Sequence, residues 1–248
     1  MIEPVCAPDH ILCAWGLTRE FGGVQALRGV DLHVVRGTIT GLIGPNGSGK
    51  TTLFQVISGM DRGATGTISF DSESILGWRP SEIYRRGLAR TFQLSRVFPE
   101  LTVLENLVVA GHRRDRSAAE RALGLLERVH LREYAAVLGK NLSYGQQKLV
   151  EFLRVLMSDP ALILLDEPAA GVNPTLRKTL WDMVRHLNGL GTTFLVIEHN
   201  MEVIADLCSD VYVLSDGEII AQGDFASIRN NERVLEAYFG KSRKHGAA

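Results

Sequence analysis

Gly44-Pro45-Asn46-Gly47-Ser48-Gly49-Lys50-Thr51 decides the fold. It fits G-x-x-x-x-G-K-[ST], a loop that wraps phosphates. Its glycines let the backbone curl until successive N–H groups point inward at phosphate oxygens. A helix read from Thr51 to Ser58 adds the positive end of its dipole. Lys50 carries an ammonium for the β- and γ-phosphates, and Thr51 offers a hydroxyl to Mg²⁺, a cation that keeps several of its waters. The loop speaks for a nucleoside triphosphate without choosing between kinase, GTPase and transport ATPase.

The surroundings extend this reading. Thr38 to Ile43 forms a strand running into the loop. From Ile11 to about Gly37, short apolar segments alternate with turns such as Phe21-Gly22-Gly23, the pattern of a small antiparallel sheet, and Thr67 to Phe70 adds a strand. Residues 94–157 turn helical: Ala122, Leu125, Leu126 and Val129 recur at helical spacing behind Ser117-Ala118-Ala119-Glu120, which has the form of a capping box, and Gln146 to Met157 reads as a second helix. After Asp159-Pro160 the α/β alternation resumes. Ala161 to Leu165 and Thr193 to Ile197 are continuous apolar runs, as in strands buried on both faces. A helix carrying Leu176, Leu180, Met183, Val184 and Leu187 lies between them, and Asp216-Gly217 marks a hairpin. The chain is expected to be a single α/β unit over residues 1–248: a parallel-sheet core with an antiparallel β subdomain (about 11–93 and 158–240) and an inserted α-helical subdomain (about 94–157).

Leu162-Ile163-Leu164-Leu165-Asp166-Glu167 ends an apolar strand in two acids, at the edge where open α/β sheets bind ligands. Asp166 suits Mg²⁺ held through water, and Glu167 suits a general base on an attacking water. Judged alone, such acids can be plain loop residues; an upstream phosphate loop argues for chemistry.

Leu142-Ser143-Tyr144-Gly145-Gln146 opens a helix between the two motifs, and here the chain resembles the ATP-binding cassette (ABC) family, whose signature is L-S-G-G-Q. Ser143 is also an ordinary helix N-cap. The resemblance implies a P-loop ATPase with a RecA-like core, using ATP and Mg²⁺, in which Leu142 to Gln146 meet the γ-phosphate bound by a second ATPase subunit. It implies that Gly44, Pro45, Asn46, Gly47, Ser48, Gly49, Lys50, Thr51 and Thr52 hold ATP. It assigns Gln93, in Arg90-Thr91-Phe92-Gln93, to Mg²⁺ and the attacking water and to the membrane partner. His199, readable alone as structural, becomes a γ-phosphate contact. Phe21, readable as a core residue, becomes the aromatic stacked on adenine, and aromatic faces stack on any base. One departure stands out: Asn173 occupies a position commonly Asp, keeping polarity across the dimer without charge.

Gly87 to Gln93, Val97 to Asn106 and Ala169 to Pro174 look like the ATPases of branched-chain amino acid importers, within a group that also serves urea, short amides and other small solutes; some lipid-export ATPases share parts of these motifs. The expected partners are a second ATPase subunit, integral membrane permeases and, indirectly, a solute-binding protein, with the chain peripheral on the cytoplasmic face of the membrane. A net charge of -1 argues against a nucleic-acid partner. No apolar run approaches the roughly 18 residues of a membrane span, and the start of the chain lacks a secretory pattern. The basic end, Lys241, Arg243 and Lys244, has charge that could meet anionic lipid, but three charges near a terminus read first as a solvated tail. Cys6, Cys13 and Cys208 show no CxxC spacing and are expected to be three free thiols. DNA-acting members of the family need a long coiled coil where this chain has only residues 94–141, and translation-factor members carry two cassettes in one chain. A P-loop kinase or GTPase has no use for Leu142 to Gln146.

Overall fold

The computed structural model describes residues 6–91, 97–111 and 116–239. Among these, the strands are β1 (His10–Phe21), β2 (Val24–Val35), β3 (Ile39–Ile43), β4 (Thr65–Phe70), β5 (Glu73–Ser74), β6 (Leu88–Arg90), β7 (Leu162–Asp166), β8 (Thr193–Ile197), β9 (Asp210–Ser215) and β10 (Glu218–Gly223). The helices are α1 (Lys50–Ile57), α2 (Pro80–Arg86), α3 (Val103–Ala110), α4 (Arg116–Arg128), α5 (Tyr144–Leu156), α6 (Pro174–Gly189), α7 (Met201–Leu207), α8 (Phe225–Arg229) and α9 (Glu232–Phe239).

Two sheets result. One is antiparallel, in the order β2-β1-β4-β5. Its first hairpin closes through Gly22 and Gly23, both at positive φ (52° and 86°), the backbone a two-residue turn between twisted strands requires. The other sheet has six strands in the order β10-β9-β3-β8-β7-β6. In it β3 pairs with β9 and β6 with β7 in parallel, while β9 and β10 form an antiparallel hairpin across Asp216-Gly217. Strands β3, β7 and β8 are buried at every position. Their unbroken apolar runs are what strands covered on both faces need, since no side chain points to water. This is the α/β fold expected, with its antiparallel β portion.

The chain divides into two compact units, one of residues up to Ile83 together with those from Leu195 onward, the other Tyr84–Phe194. In the first, Ile43, Ile204, Val211, Val213, Ile228 and Val234 form a core into which Phe225 and Tyr238 pack. In the second, α3, α4 and α5 bury Leu107, Ala122, Leu126, Leu149, Phe152 and Leu153. Asn106, fully buried there, donates its amide to the carbonyls of Phe98, Leu101 and Thr102 and accepts from the Phe98 N–H, so its polar atoms are satisfied without water. Among the described residues no helix is long and apolar enough to cross a membrane.

Two expectations are corrected. Helix α4 already begins at Arg116, so Ser117 lies inside its first turn and cannot be its N-cap. Among the described residues, capping boxes form at Thr102 with Glu105 and at Ser143 with Gln146. The cysteines are not three free thiols: Cys6 and Cys13 are joined as a disulfide with Cα atoms 5.9 Å apart, and Cys208 alone is free. A turn in which the His10 N–H donates to the Ala7 carbonyl folds the leading segment back along β1 and brings the two sulfurs together.

Candidate active site

In the first unit the glycine-rich loop from Gly44 joins β3 to α1, and two of its glycines are required sterically. At Gly44 (φ 152°) a Cβ would lie 2.0 Å from the Leu214 carbonyl oxygen. At Gly49 (φ 108°) it would lie 2.5 Å from the Ala26 oxygen. Gly49 precedes α1 with no side-chain cap, and the first turn of α1 holds no acid. No capping side chain or acid therefore competes for the positive end of the α1 dipole. The buried Lys50 ammonium donates to the carbonyls of Gly44 at 2.9 Å and Pro45 at 2.8 Å. Ser48 is buried, and Thr51 and Thr52 are half-buried. Pro45, Asn46 and Gly47 form the loop's outer arc, Gly47 at φ 79°.

Phe21, at the end of β1, is 45% exposed and so is no core residue. The Arg19 guanidinium stacks 4.1 Å from its ring centroid and is pinned there by Asp61, 2.7 Å from Arg19 Nε. One face of the ring is thereby occupied. His199 is exposed in the bend between β8 and α7, where Asn200 caps α7. Tyr238 on α9 meets the backbone of Gly44; burial pushes its phenol pKa up, against the pull of that hydrogen bond.

In the second unit Asp166 ends β7 at 1% exposure. Its Oδ2 accepts from Arg90 Nη2 at 2.8 Å, and its backbone N–H donates to Thr91 Oγ1. Its Oδ1 is buried with no hydrogen-bond partner. Burial raises the Asp166 carboxyl pKa above the usual carboxylate range; the Arg90 bond and charge oppose this, Glu167 adds to it and Lys148 opposes it. Glu167 follows in the left-handed region, φ 47°. Non-glycine residues are uncommon there, and such strain clusters at functional positions.

Ser143 caps α5, accepting from the Gln146 N–H, while Gln146 Oε1 accepts from the Ser143 N–H. Leu142 is buried and Tyr144 is 46% exposed. A Cβ on Gly145 would come to 2.9 Å from Leu176 Cδ1, the far end of a flexible side chain on α6 that would have to swing aside. A Cβ on Gly171 would meet the Tyr144 ring at 3.0 Å. Asn173 has work within its own chain: its side chain accepts from the Leu176 N–H and caps α6 ahead of Pro174. Gln93 lies outside the described residues.

Sequence reasoning assigned no role to Arg90, Thr91, Gly171 or Tyr238. For Arg90 and Thr91 the signal was adjacency to Gln93, and for Gly171 its place in the stretch Ala169 to Pro174; Tyr238 carries no local signal. The donor set fits Mg²⁺. Taken each in its own unit, Asp166 keeps a buried carboxylate oxygen without a hydrogen-bond partner and Thr51 carries a half-buried hydroxyl at the start of α1, and both are the hard oxygen donors this cation takes.

Residues 27–170 match the family described as ABC transporter, and residues 218–243 match that described as branched-chain amino acid ATP-binding cassette transporter. The high-affinity branched-chain amino acid transport ATP-binding protein LivG of Salmonella typhimurium is 38% identical, covering 94% of this chain and 98% of its own length. A crystal structure of the ADP conformation of an ATP-binding cassette of an ABC transporter has a TM-score of 0.85 at 35% identity, covering 94% of this chain and 99% of its own. A dimeric post-hydrolysis state of another cassette, bound to ADP and Pi, has a TM-score of 0.77 at 25% identity, covering 86% and 98%.

Proposed function

This chain belongs to the ABC transporter family as an ATPase subunit, and on that premise we propose that it powers import of branched-chain or other hydrophobic amino acids. The near end-to-end relation to a branched-chain amino acid transport ATP-binding protein carries the reading. The chain works with a second ATPase subunit, of the same or a homologous chain. It docks on integral permease subunits at the cytoplasmic face of the membrane and is served indirectly by a solute-binding protein.

The residues divide the work. The loop from Gly44 to Thr52 takes up the phosphates of ATP, with Lys50 exchanging the carbonyls of Gly44 and Pro45 for phosphate oxygens. Phe21 stacks on the base with the face that Arg19 leaves open. Thr51 and Gln93 would hold Mg²⁺ directly and Asp166 would hold it through water, a reading supported by the Asp166 Oδ1 that has no hydrogen-bond partner within the protein. Bound Mg²⁺ supplies charge compensation at the phosphates. Arg90, 2.8 Å from Asp166 Oδ2, favours the charged form of that buried carboxylate against the opposing effect of burial. Glu167 accepts the proton of the attacking water and His199 contacts the γ-phosphate. Ser143, Tyr144, Gly145 and Gln146, on the helical subdomain of about residues 94–157, serve the ATP of the partner subunit. Closure over ATP shifts the conformational balance of the membrane subunits, because its contacts differ between the open and closed states.

Two measurements test the reading. Glu167→Gln should lower turnover by roughly 10²–10⁴-fold while ATP still binds; normal turnover removes Glu167 as the base. In liposomes with the permease subunits, ATPase activity should rise when a leucine-loaded solute-binding protein is added. An unchanged rate rejects the cargo assignment and leaves the ATPase assignment standing.

A further inference from the structure

The segment leading into β1 holds side chains that no step above uses. Cys6, His10 and Cys13 offer ligand atoms that all lie within 4.8 Å of one another. Strand periodicity alone argues against this grouping, because residues three apart on a strand point to opposite faces. The register supplies the reason. His10 pairs with Val35 and Leu12 with Val34, so β1 carries one extra residue against β2 at this point. Such a bulge re-aims side chains, and here it turns His10 to the side of Cys13.

A further candidate donor stands on the neighbouring strand, outside the 4.8 Å grouping of the other three. His33 lies directly opposite Cys13 in the antiparallel register, which places both on one face of the sheet. Its ring centroid is 5.6 Å from that of His10. Outside the group, the Asp9 carboxylate is 3.6 Å from His10 Nδ1, placed as the outer partner that commonly orients a ligating imidazole. Two sulfurs and two imidazoles are the donor set of four-coordinate zinc sites. With metal–sulfur bonds of about 2.3 Å, a tetrahedral ion holds two sulfurs about 3.8 Å apart. That separation exceeds a disulfide bond, yet lies within the span the three ligand atoms already have. Cys6 sits in irregular chain ahead of β1 and is only half-buried, so it can open the distance, whereas Cys13 is fixed in the sheet.

We infer that, once its disulfide is reduced, this chain binds one divalent cation of the zinc class through Cys6, His10 and Cys13, with His33 as fourth ligand. A small-molecule thiol reduces the Cys6–Cys13 bond to two thiols and leaves as its own disulfide. The cation then forms two metal–thiolate bonds as the two thiol protons pass to solvent. The oxidised and metal-bound forms exclude each other, since both use the same sulfur atoms.

Tag-free full-length chain, reduced, stripped with chelator and free of nucleotide, is titrated with Co²⁺ alone. One equivalent should produce thiolate-to-metal charge transfer and the strong visible bands of tetrahedral Co²⁺, and Zn²⁺ should bleach both. Cys6→Ser and His10→Ala should each weaken binding by about 100-fold or more, beyond the 10–100-fold typical of an outer partner. Far-UV circular dichroism checks that these variants remain folded; Cys6 and His10 are chosen because neither is fully buried. Cys208→Ser should bind as wild type does. Absence of the charge-transfer band in the reduced wild-type chain overturns the inference. So does a band that survives both Cys6→Ser and His10→Ala, or one equally strong in the oxidised protein.

Discussion

Replacing Arg90 by Met keeps a chain of similar length and removes its charge, leaving Asp166 buried alone. The pair is 8% and 1% exposed, so solvent screens little of the loss. Asp166 can escape only by taking a proton. That costs about 1.4 kcal/mol per pH unit above the ordinary carboxyl pKa near 3.9, hence about 4 kcal/mol at pH 7 and about 1.5 kcal/mol at pH 5. Those values cap the charge penalty, and the first falls within the roughly 3–5 kcal/mol usual for breaking a buried pair. The sign follows from linkage. Burial already raises this carboxyl above its unfolded value, and losing Arg90 raises it further. Its favourable contribution is therefore fully present below the unfolded pKa and disappears as pH rises toward the folded one. Urea unfolding of wild type, Arg90→Met, Asp166→Asn and the double variant at pH 5, 6 and 7 measures this. The midpoint of Arg90→Met should fall by more than about 1 M at pH 7, for a slope near 3 kcal/mol/M. The deficit should shrink by more than half at pH 5, and Asp166→Asn should restore most of it at pH 7. A deficit that ignores pH, or that Asp166→Asn leaves untouched, refutes the reasoning.

Three further outcomes follow from contacts already described. Gly44→Ala forces a Cβ to 2.0 Å from a carbonyl oxygen, so it should lose nucleotide binding and at least about 1–3 kcal/mol of stability; unchanged melting and binding of a fluorescent ATP analogue would count against the loop geometry. Phe21→Ala should weaken ATP and GTP alike by roughly 5–150-fold, the 1–3 kcal/mol of one stacked base, and an unaltered Kd would remove Phe21 from the site. Ser143→Ala should cost about 0.5–2 kcal/mol as a lost cap, and its turnover should drop by more than that destabilisation explains; a purely thermal effect would reduce Ser143 to a structural role.

What could be read in advance was local in the chain. The run Leu162 to Leu165 marks β7 because burial on both faces leaves no polar positions to break it. Gly22-Gly23 and Asp216-Gly217 mark hairpins because their turns need positive φ. Arg90 and Asp166 were beyond such reading: they are 76 residues apart, and only the parallel register of β6 and β7 makes them neighbours. The bond between Cys6 and Cys13 depended on a turn and a bulge that no spacing rule encodes. Ser117 to Glu120 carried the right residue types, but helix α4 already begins at Arg116. Thr102 to Glu105, with the same pattern, is the box that forms, because Thr102 stays extended ahead of α3.

The left-handed backbone at Glu167 sets the fold's own preference against this residue. Asn or Gly would occupy that conformation more comfortably, by up to about 1 kcal/mol. Stability selection applied blindly to this chain would therefore drift away from glutamate at position 167. A library screened for heat resistance should enrich sturdy but inert variants there unless growth on the transported solute is demanded as well.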